Sequence, residues 1–427
     1  MSRTAKLLSR AIFFFAVVIS EGRADVVVPE EAKTEQPFEY IVESKGEIGV
    51  ENNFTIEVIN LIGTVTVESS QGSNVEWQTV VHSVAKDEKR AKELGEKLKI
   101  KIDEEQTPKK IAITALYPIS EHSIYYYPAK ENGAKESRKK REKERGAFKY
   151  KTKLAYQDKD VTVMTEPSLA AIYLFADITL KVPQGGKVVV KNYVGKMKIH
   201  DFVGELDVES MSAPIHLIKG QGKLFFSTAN GSVDVQEYDG EINGASGDAK
   251  LTCSSCTGCV QLNTGSGQIV FDDSNFELVH AKSGSGAISL KRSTGDLLLT
   301  TGSGRIQAED FKAKKFVKIE TGSGDIRLKG DFSLLEKLLV QTGSGDISFV
   351  STPFPKIFFD VRSASGEVSV KVPTMRSKPA YYNIFMGSID QTLDETKENE
   401  ATAIIRSGSG DIRLGTLRKA KSTSKEK

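Results

Sequence analysis

The three cysteines of this 427-residue chain lie together in the stretch CSSCTGC, as Cys253, Cys256 and Cys259. Thiols at this spacing can close a local disulfide or bind a thiophilic metal. Structural zinc sites take four ligands, and no histidine lies nearby in the sequence. If two thiols pair, the third is left over. A disulfide, free thiols and a metal site all stay open, and the spacing does not say which two cysteines would pair.

A row of carboxylates is the second place where the sequence could do chemistry. Each follows a repeated glycine phrase, and together they are Asp325, Asp346, Glu367 and Asp411. If the repeats stack as strands, neighbouring carboxylates lie about 4.8 Å apart. A hard cation such as Ca2+ would relieve their repulsion. Earlier copies carry Gln268, Ala287 and Arg305 at this position, so we assign no metal and keep the four acidic residues as weak candidates.

The glycine phrase itself is the third candidate. It reads TGSG or SGSG and recurs at Thr264, Ser283, Thr301, Thr321, Thr342 and Ser407. Nucleotide-binding loops need a glycine phrase that opens a helix, and the P-loop also needs a lysine at a fixed place. Here an isoleucine and an alternating stretch follow instead. We therefore predict no cofactor, and the phrase indicates a repeating backbone geometry.

Other catalytic side chains are scarce. The histidines are scattered, and none falls in a nucleophile or metal motif: His82, His122, His200, His216 and His280. We therefore predict that the protein is not an enzyme. The alternative is a carbohydrate-active enzyme built on a β-helix, with the acidic row as its site.

A basic insertion at residues 128–153 could grip an anionic polymer. Residues 130–153 hold eleven Lys or Arg against four Glu, a local charge of 11 − 4 = +7, whereas the whole chain carries only +2. Blocks of this kind are usually solvated loops, and the overall charge predicts no specific nucleic-acid binding. The candidate polyanion-binding residues are Arg138, Lys139, Lys140, Arg141, Lys143 and Arg145.

An internal repeat from Gly195 onward must position these residues. The apolar residue after each phrase recurs every 16 to 21 residues, at Met197, Ile215, Val233, Ala249, Ile269, Ile288, Ile306, Ile326, Ile347 and Val368. Ile412 follows after 44 residues, which leaves room for an insertion at 374–402. A second mark, a glycine before a charged and an apolar residue, stands at Gly204, Gly222, Gly240 and Gly295. Apolar residues alternate between the marks, which is typical of strands.

Such units cannot bury an apolar face alone, but stacked units can. The sequence therefore predicts an all-β fold, a right-handed parallel β-solenoid with about 18–21 residues per coil. Glycines are expected at the corners because they adopt positive φ there. The Thr or Ser before each phrase should stack into a column of hydroxyls, formed by Thr264, Ser283, Thr301, Thr321, Thr342, Ser363 and Ser407.

The N-terminal part has a different pattern. Residues 1–24 resemble an export signal, with a basic start, the apolar core AIFFFAVVIS and small residues before a cleavage site. A retained membrane anchor is the alternative, although this core is short of the about 20 residues that a span needs. Residues 25–165 are predicted to form a capping subdomain with a helix in 86–99. The solenoid then occupies 166–415, and 416–427 is a disordered tail.

The motifs TGSGDI-x-L and G-[DE]-L-x-V resemble those of DUF4097, an adhesin-like β-strand-repeat family of bacterial envelope proteins. The resemblance covers about Gly195 to Val372, returns at Ser407 to Leu414 and is faint at Phe54 to Glu68. It implies a solenoid body, a surface or periplasmic location and a binding or structural role, and it offers no catalytic residues. The cysteine triplet and the basic insertion depart from the family's pattern.

We therefore predict a non-enzymatic, exported binding or scaffold module, located in the periplasm, at the cell surface or outside the cell. The expected partners are an envelope protein or a surface polysaccharide, with an anionic polymer on the basic insertion. No transmembrane segment is expected after the signal is cleaved. A regulator of envelope stress that acts through protein contacts is a further alternative.

Overall fold

The computed structural model describes residues 37–51, 53–106, 109–127, 151–165, 171–355, 357–371, 382–386 and 402–416. The predicted signal peptide, the basic insertion up to residue 150 with all six of its candidate residues, and the predicted tail from 417 lie outside these ranges. The chain divides into two compact units, residues 1–197 and 198–427. Within the described ranges, no helix is both long and apolar enough to cross a membrane.

The first unit combines strands with the predicted helix. Helix α1 (Glu88–Lys97) begins after Asp87, whose carboxylate accepts the N–H of Arg90, a standard N-cap. The strands are β1 (Phe38–Gly49), β2 (Thr55–Ser70), β3 (Asn74–Ala85), β4 (Lys99–Gln106), β5 (Lys109–Leu116), β6 (Ile124–Tyr126), β7 (Lys151–Tyr156), β8 (Lys159–Met164) and β9 (Ile172–Pro183).

These strands pair in both directions. β3 is antiparallel to β1 and β9, whereas β2 is parallel to β5 and β9. The faint repeat in β2 keeps one feature of the regular units. Gly63 has φ +131°, and a Cβ on Gly195 would lie 1.9 Å from the Gly63 carbonyl oxygen. Gly63 and Gly195 therefore stack backbone on backbone, as glycines of adjoining regular coils do.

Strand β10 (Lys187–Ser210) contains the division between the units. The later strands are β11 (Ile215–Thr228), β12 (Val233–Ser246), β13 (Leu251–Ser254), β14 (Thr257–Thr264), β15 (Ile269–Asp272), β16 (Asn275–Ser283), β17 (Ile288–Lys291), β18 (Thr294–Thr301), β19 (Ile306–Thr321), β20 (Ile326–Asp331), β21 (Lys337–Thr342), β22 (Ile347–Ser351), β23 (Phe358–Ser363), β24 (Val368–Lys371), β25 (Tyr382–Met386), β26 (Thr402–Ser407) and β27 (Ile412–Gly415).

In the second unit, a coil consists of a short and a long strand segment, which in β11, β12 and β19 form one continuous strand. In the coil formed by β13 and β14, four residues are followed by eight. Short strands pair in parallel with short strands and long with long, so that Ile269, Ile288 and Ile306 align in one column. These side chains are fully buried. The predicted parallel β-solenoid with an apolar interior is confirmed, and we name its two faces the short-strand sheet and the long-strand sheet.

One member of the predicted repeat series is wrong. Leu251, not Ala249, pairs with both Val233 and Ile269, so the two neighbouring intervals are 18 residues each. Ala249 stands where other coils have the last glycine of the phrase, because a Cβ on Gly267 would lie 1.8 Å from the Ala249 carbonyl oxygen. The altered phrase at 246–249 therefore shifted the sequence alignment by two residues.

The order of the last coils also differs from the predicted order. β26 lies between β21 and β23, and β27 lies between β22 and β24. β25, inside the predicted insertion at 374–402, pairs with the other side of β23. The C-terminal coil, residues 402–416, is thus inserted between two earlier coils and does not follow them. Position along the chain does not fix position in the stack, because every coil carries the same marks.

The reason for the phrase glycines also needs correction. None of them has a positive φ; a Cβ on Gly324 would instead lie 1.9 Å from the Gly304 carbonyl oxygen. Positive φ occurs at second-mark glycines such as Gly240, at +139°. It also occurs once in each of seven consecutive coils, between the short-strand and long-strand segments, with φ of 47° to 58° at Asp201, Lys219, Glu237, Ser255, Asp273, Arg292 and Asp310. We name the two turns the glycine corner and the left-handed corner.

Candidate binding surface

Buried hydroxyls hold the glycine corner together. Thr321 Oγ1 accepts the N–H of Gly324 at 3.1 Å and donates to the carbonyl of Gly304, one coil away, at 3.2 Å. The same two kinds of bond are made by Ser283, Thr301, Thr342, Ser363 and Ser407. The predicted hydroxyl column exists, and its members bind the backbone of adjoining coils.

The acidic residues also form one column, in the spatial order Asp325, Asp346, Asp411, Glu367. The Oδ1 atoms of the three aspartates each accept the backbone N–H of the next member, at 3.3, 2.9 and 3.0 Å. Arginines flank the row: Arg305 and Arg327 lie 3.4 and 3.6 Å from Asp325, and Arg413 lies 3.3 Å from Asp411. The aspartates therefore couple coils through the backbone, and nearby cations offset part of their charge.

Metal ligands do not converge in the part of the chain that the structure describes. No group of three or more His, Cys, Asp or Glu side chains there is placed to hold an ion. The acidic row is a line of carboxylates on successive coils, whereas calcium takes six to eight oxygens around one point.

The cysteine triplet is divided between interior and surface. Cys253 and Cys256 form a disulfide across the left-handed corner, and both are buried. Cys259 is free and exposed, with its Sγ 3.6 Å from Oε2 of Glu277. Burial and then this carboxylate raise the pKa of the Cys259 thiol. A raised pKa leaves less thiolate, so Cys259 is a poor nucleophile.

The coils share the outer face of the long-strand sheet as a continuous surface. The side chain at the middle of each long strand points outward, and strand register aligns nine of them into a column. We name this the outer column: Phe225, Asn243, Gln261, His280, Leu298, Lys318, Leu339, Ile404 and Asp360. Eight steps of about 4.8 Å give it a length of about 38 Å.

The chemistry of the outer column changes along its length. After Phe225 at one end, the next two coils carry the amides of Asn243 and Gln261, and the later coils carry the partly exposed Leu298, Leu339 and Ile404 together with the charged Lys318 and Asp360. Leu278, beside the column, is 40% exposed.

His280 lies between the polar and apolar parts of the outer column. Burial lowers the pKa of His280, so its ring is neutral at pH 7, and its Nε2 is buried with no hydrogen-bond partner among the residues that the structure describes. Alternation within one repeat predicts which residues point outward. The outer column stands three residues before the Thr or Ser of the hydroxyl column, as Leu298 does before Thr301, so the repeat carried the signal for it, although no surface was predicted from this position.

Comparison with known proteins identifies the family. The model of the Toastrack DUF4097 family matches residues 54–351 and, in an overlapping match, residues 275–427. No curated protein matches the sequence. The solved structure of a proposed cell adhesion protein from Clostridium sporogenes matches with 10% identity over 88% of this chain and 100% of that chain, at a TM-score of 0.15, which is too low to carry an argument. Since the two family matches together span residues 54–427, the chain belongs to the Toastrack DUF4097 family.

Proposed function

We propose that the protein is a non-catalytic, adhesin-like binding or scaffold module at the bacterial cell envelope, with the outer face of the long-strand sheet as its contact surface. The observation that carries this proposal is the outer column, whose side chains are at least partly exposed on eight consecutive coils, from Phe225 to Ile404. A rigid, extended face of this kind suits an extended partner. Export rests on residues 1–24, whose composition is that of a signal peptide.

The chemistry of the face favours a protein partner. Leu278, Leu298 and Leu339 expose apolar surface between charged neighbours such as Lys282 and Lys318. Apolar side chains surrounded by a polar rim are typical of protein contact surfaces. A surface polysaccharide is the second candidate, because the amides of Asn243 and Gln261 at the other end of the column are suited to sugar hydroxyls.

The described side chains give little support to a reaction. The aspartates that an enzyme would need already accept backbone N–H groups of the adjoining coil. The exposed thiol of Cys259 has a raised pKa. We therefore prefer binding to the carbohydrate-active alternative.

Charge placed on the outer face tests the proposal. The variant Leu298→Asp/Leu339→Asp should lose about tenfold or more in binding to envelope fractions, which corresponds to about 1.4 kcal/mol of contact energy. The matched control is Ser289→Asp/Ser348→Asp, which places the same charges on the outer face of the short-strand sheet. Circular dichroism and melting should show that both variants fold.

The same binding measurement separates the outcomes. Equal binding by the two variants would contradict the proposed surface. Protease treatment of the envelope fraction should abolish capture if the partner is a protein, whereas a polysaccharide partner would survive it. Turnover of polysaccharide that is lost on Asp325→Asn/Asp346→Asn/Asp411→Asn would instead support the enzyme.

A further inference from the structure

The C-terminal coil fills a slot that its neighbours leave between them. Six residues of β26 pair with β21 on one side and with β23 on the other, and four residues of β27 pair with β22 and with β24. Without this coil, two parallel edges would face each other across a gap one coil wide. Unpaired strand edges of this kind readily accept another strand.

The contacts within the slot fit a coil that carries the marks of the repeat. Ala403, Ile405, Ile412 and Leu414 are buried there. Ser407 Oγ donates to the carbonyl of Gly345 at 3.1 Å, and Ser363 Oγ donates to that of Gly410 at 2.9 Å. On the outer face, Arg406 lies 3.8 Å from Asp360, which is only 6% exposed. Every copy of the chain carries both the slot and the coil that fits it.

The connection to the coil is longer than its own slot requires. β25 ends at Met386 and β26 begins at Thr402, so fifteen residues, 387–401, lie between them. Fully extended, the sixteen Cα–Cα steps from Met386 to Thr402 span at most about 55 Å. The register places these two ends about five residues apart along the strands and two strands apart, a distance of about 20 Å. The length of chain therefore permits the coil to enter a slot outside its own molecule.

We propose that residues 402–416 of one chain enter the slot of a second copy, so that chains associate by exchanging their C-terminal coils. The exchanged state makes the same contacts as the closed monomer, and only the route of the connection differs, which is the basis of domain swapping. Within one chain, the connecting segment holds the C-terminal coil near its own slot at an effective concentration on the order of mM. Exchange is therefore favoured where chains are crowded.

Paired cysteine variants of the full chain test this exchange. In a Cys259→Ser background, one version carries Leu339→Cys and the other carries Ile404→Cys, two positions that pair across β21 and β26. The two versions are co-expressed, concentrated and oxidised. The expected product is a disulfide-linked heterodimer of two 46.7 kDa chains. The control versions carry Leu298→Cys and Lys318→Cys, which pair in the same way across coils that are consecutive in the chain.

The yield of heterodimer from each combination distinguishes exchange between chains from closure within one chain. Exchange predicts that the Leu339/Ile404 combination gives at least about tenfold more heterodimer than the control combination, because only exchanged coils hold the two thiols together. Equal yields would mean random collision, and no heterodimer would mean that each coil stays in its own chain. Either result would overturn the proposal. All four substitutions are on the outer face, so folding can be checked by melting each version alone.

Discussion

The glycine corner and the left-handed corner turn the same chain under different constraints. At the glycine corner, the space for a side chain is occupied by the previous coil, since a Cβ on Gly324 would lie 1.9 Å from a backbone oxygen. At the left-handed corner, aspartate, lysine, glutamate, serine and arginine all adopt φ near 50°. Packing between coils therefore restricts the first corner, whereas only local backbone conformation restricts the second.

This difference explains which corner the sequence reveals. The position of the last phrase glycine, where the previous coil fills the space for a side chain, is glycine in most coils, with Ala249 as an exception, and it therefore produces a repeated motif. A position in the left-handed region costs a non-glycine residue about 1–2 kcal/mol, which a stable solenoid tolerates. Such a position keeps its conformation while its residue type varies.

We expect the largest loss of stability from a substitution of Gly324. Gly324→Val forces a branched side chain against the Gly304 carbonyl and should destabilise the protein by more than about 4 kcal/mol, the range of severe core disruption. Urea denaturation measures the loss. Ser323→Ala, an exposed position in the same phrase, is the control and should change stability by less than about 0.5 kcal/mol. A tolerated Gly324→Val would remove the packing argument for this corner.

The second-largest loss of stability is expected when the hydroxyl of Thr321, beside the same corner, is removed. Thr321→Val leaves the buried N–H of Gly324 and the carbonyl of Gly304 without their partner. We expect a loss of about 2 kcal/mol in the free energy of unfolding. Thr321→Ser keeps the hydroxyl and should recover most of that stability. Equal losses in the two variants would show that the methyl group, and not the hydroxyl, matters.

A change in the opposite direction tests the left-handed corner. Asp310 is exposed, with φ 50°. Asp310→Gly removes about 1–2 kcal/mol of backbone strain and adds about 0.5–1 kcal/mol of entropy cost. The melting temperature should therefore stay constant or rise slightly. A clear fall would show that this corner, too, depends on its side chain.

The smallest effect is expected at the acidic row. In Asp325→Asn, the side-chain oxygen can still accept the N–H of Asp346, and only partly exposed ion pairs with Arg305 and Arg327 are lost. The expected change is below about 0.5 kcal/mol. Asp325→Ala removes the acceptor and is the comparison variant. A large loss on Asp325→Asn alone would mean that the charge itself stabilises the stack.

Much of the fold was predictable from local pattern. Alternation identified inward residues such as Ile306 and Ile326, and the Thr or Ser before each phrase predicted the buried hydroxyl column. The helix in 86–99 was found at Glu88–Lys97. The candidate surface was not predicted, although its members up to Leu339 stand at a constant offset from the hydroxyl column; the placement of Ile404 between Leu339 and Asp360 required strand register.

The sequence by itself determined that the chain forms stacked parallel coils, because each coil repeats the same short set of marks within about 20 residues. It left open which cysteines pair, and the structure joins Cys253 to Cys256 across one corner. Only the tertiary structure placed Ile412 between Ile347 and Val368. The physical reason is that a parallel ladder accepts any segment with the right marks, so neighbours in space are selected by packing and chain length and not by order in the sequence.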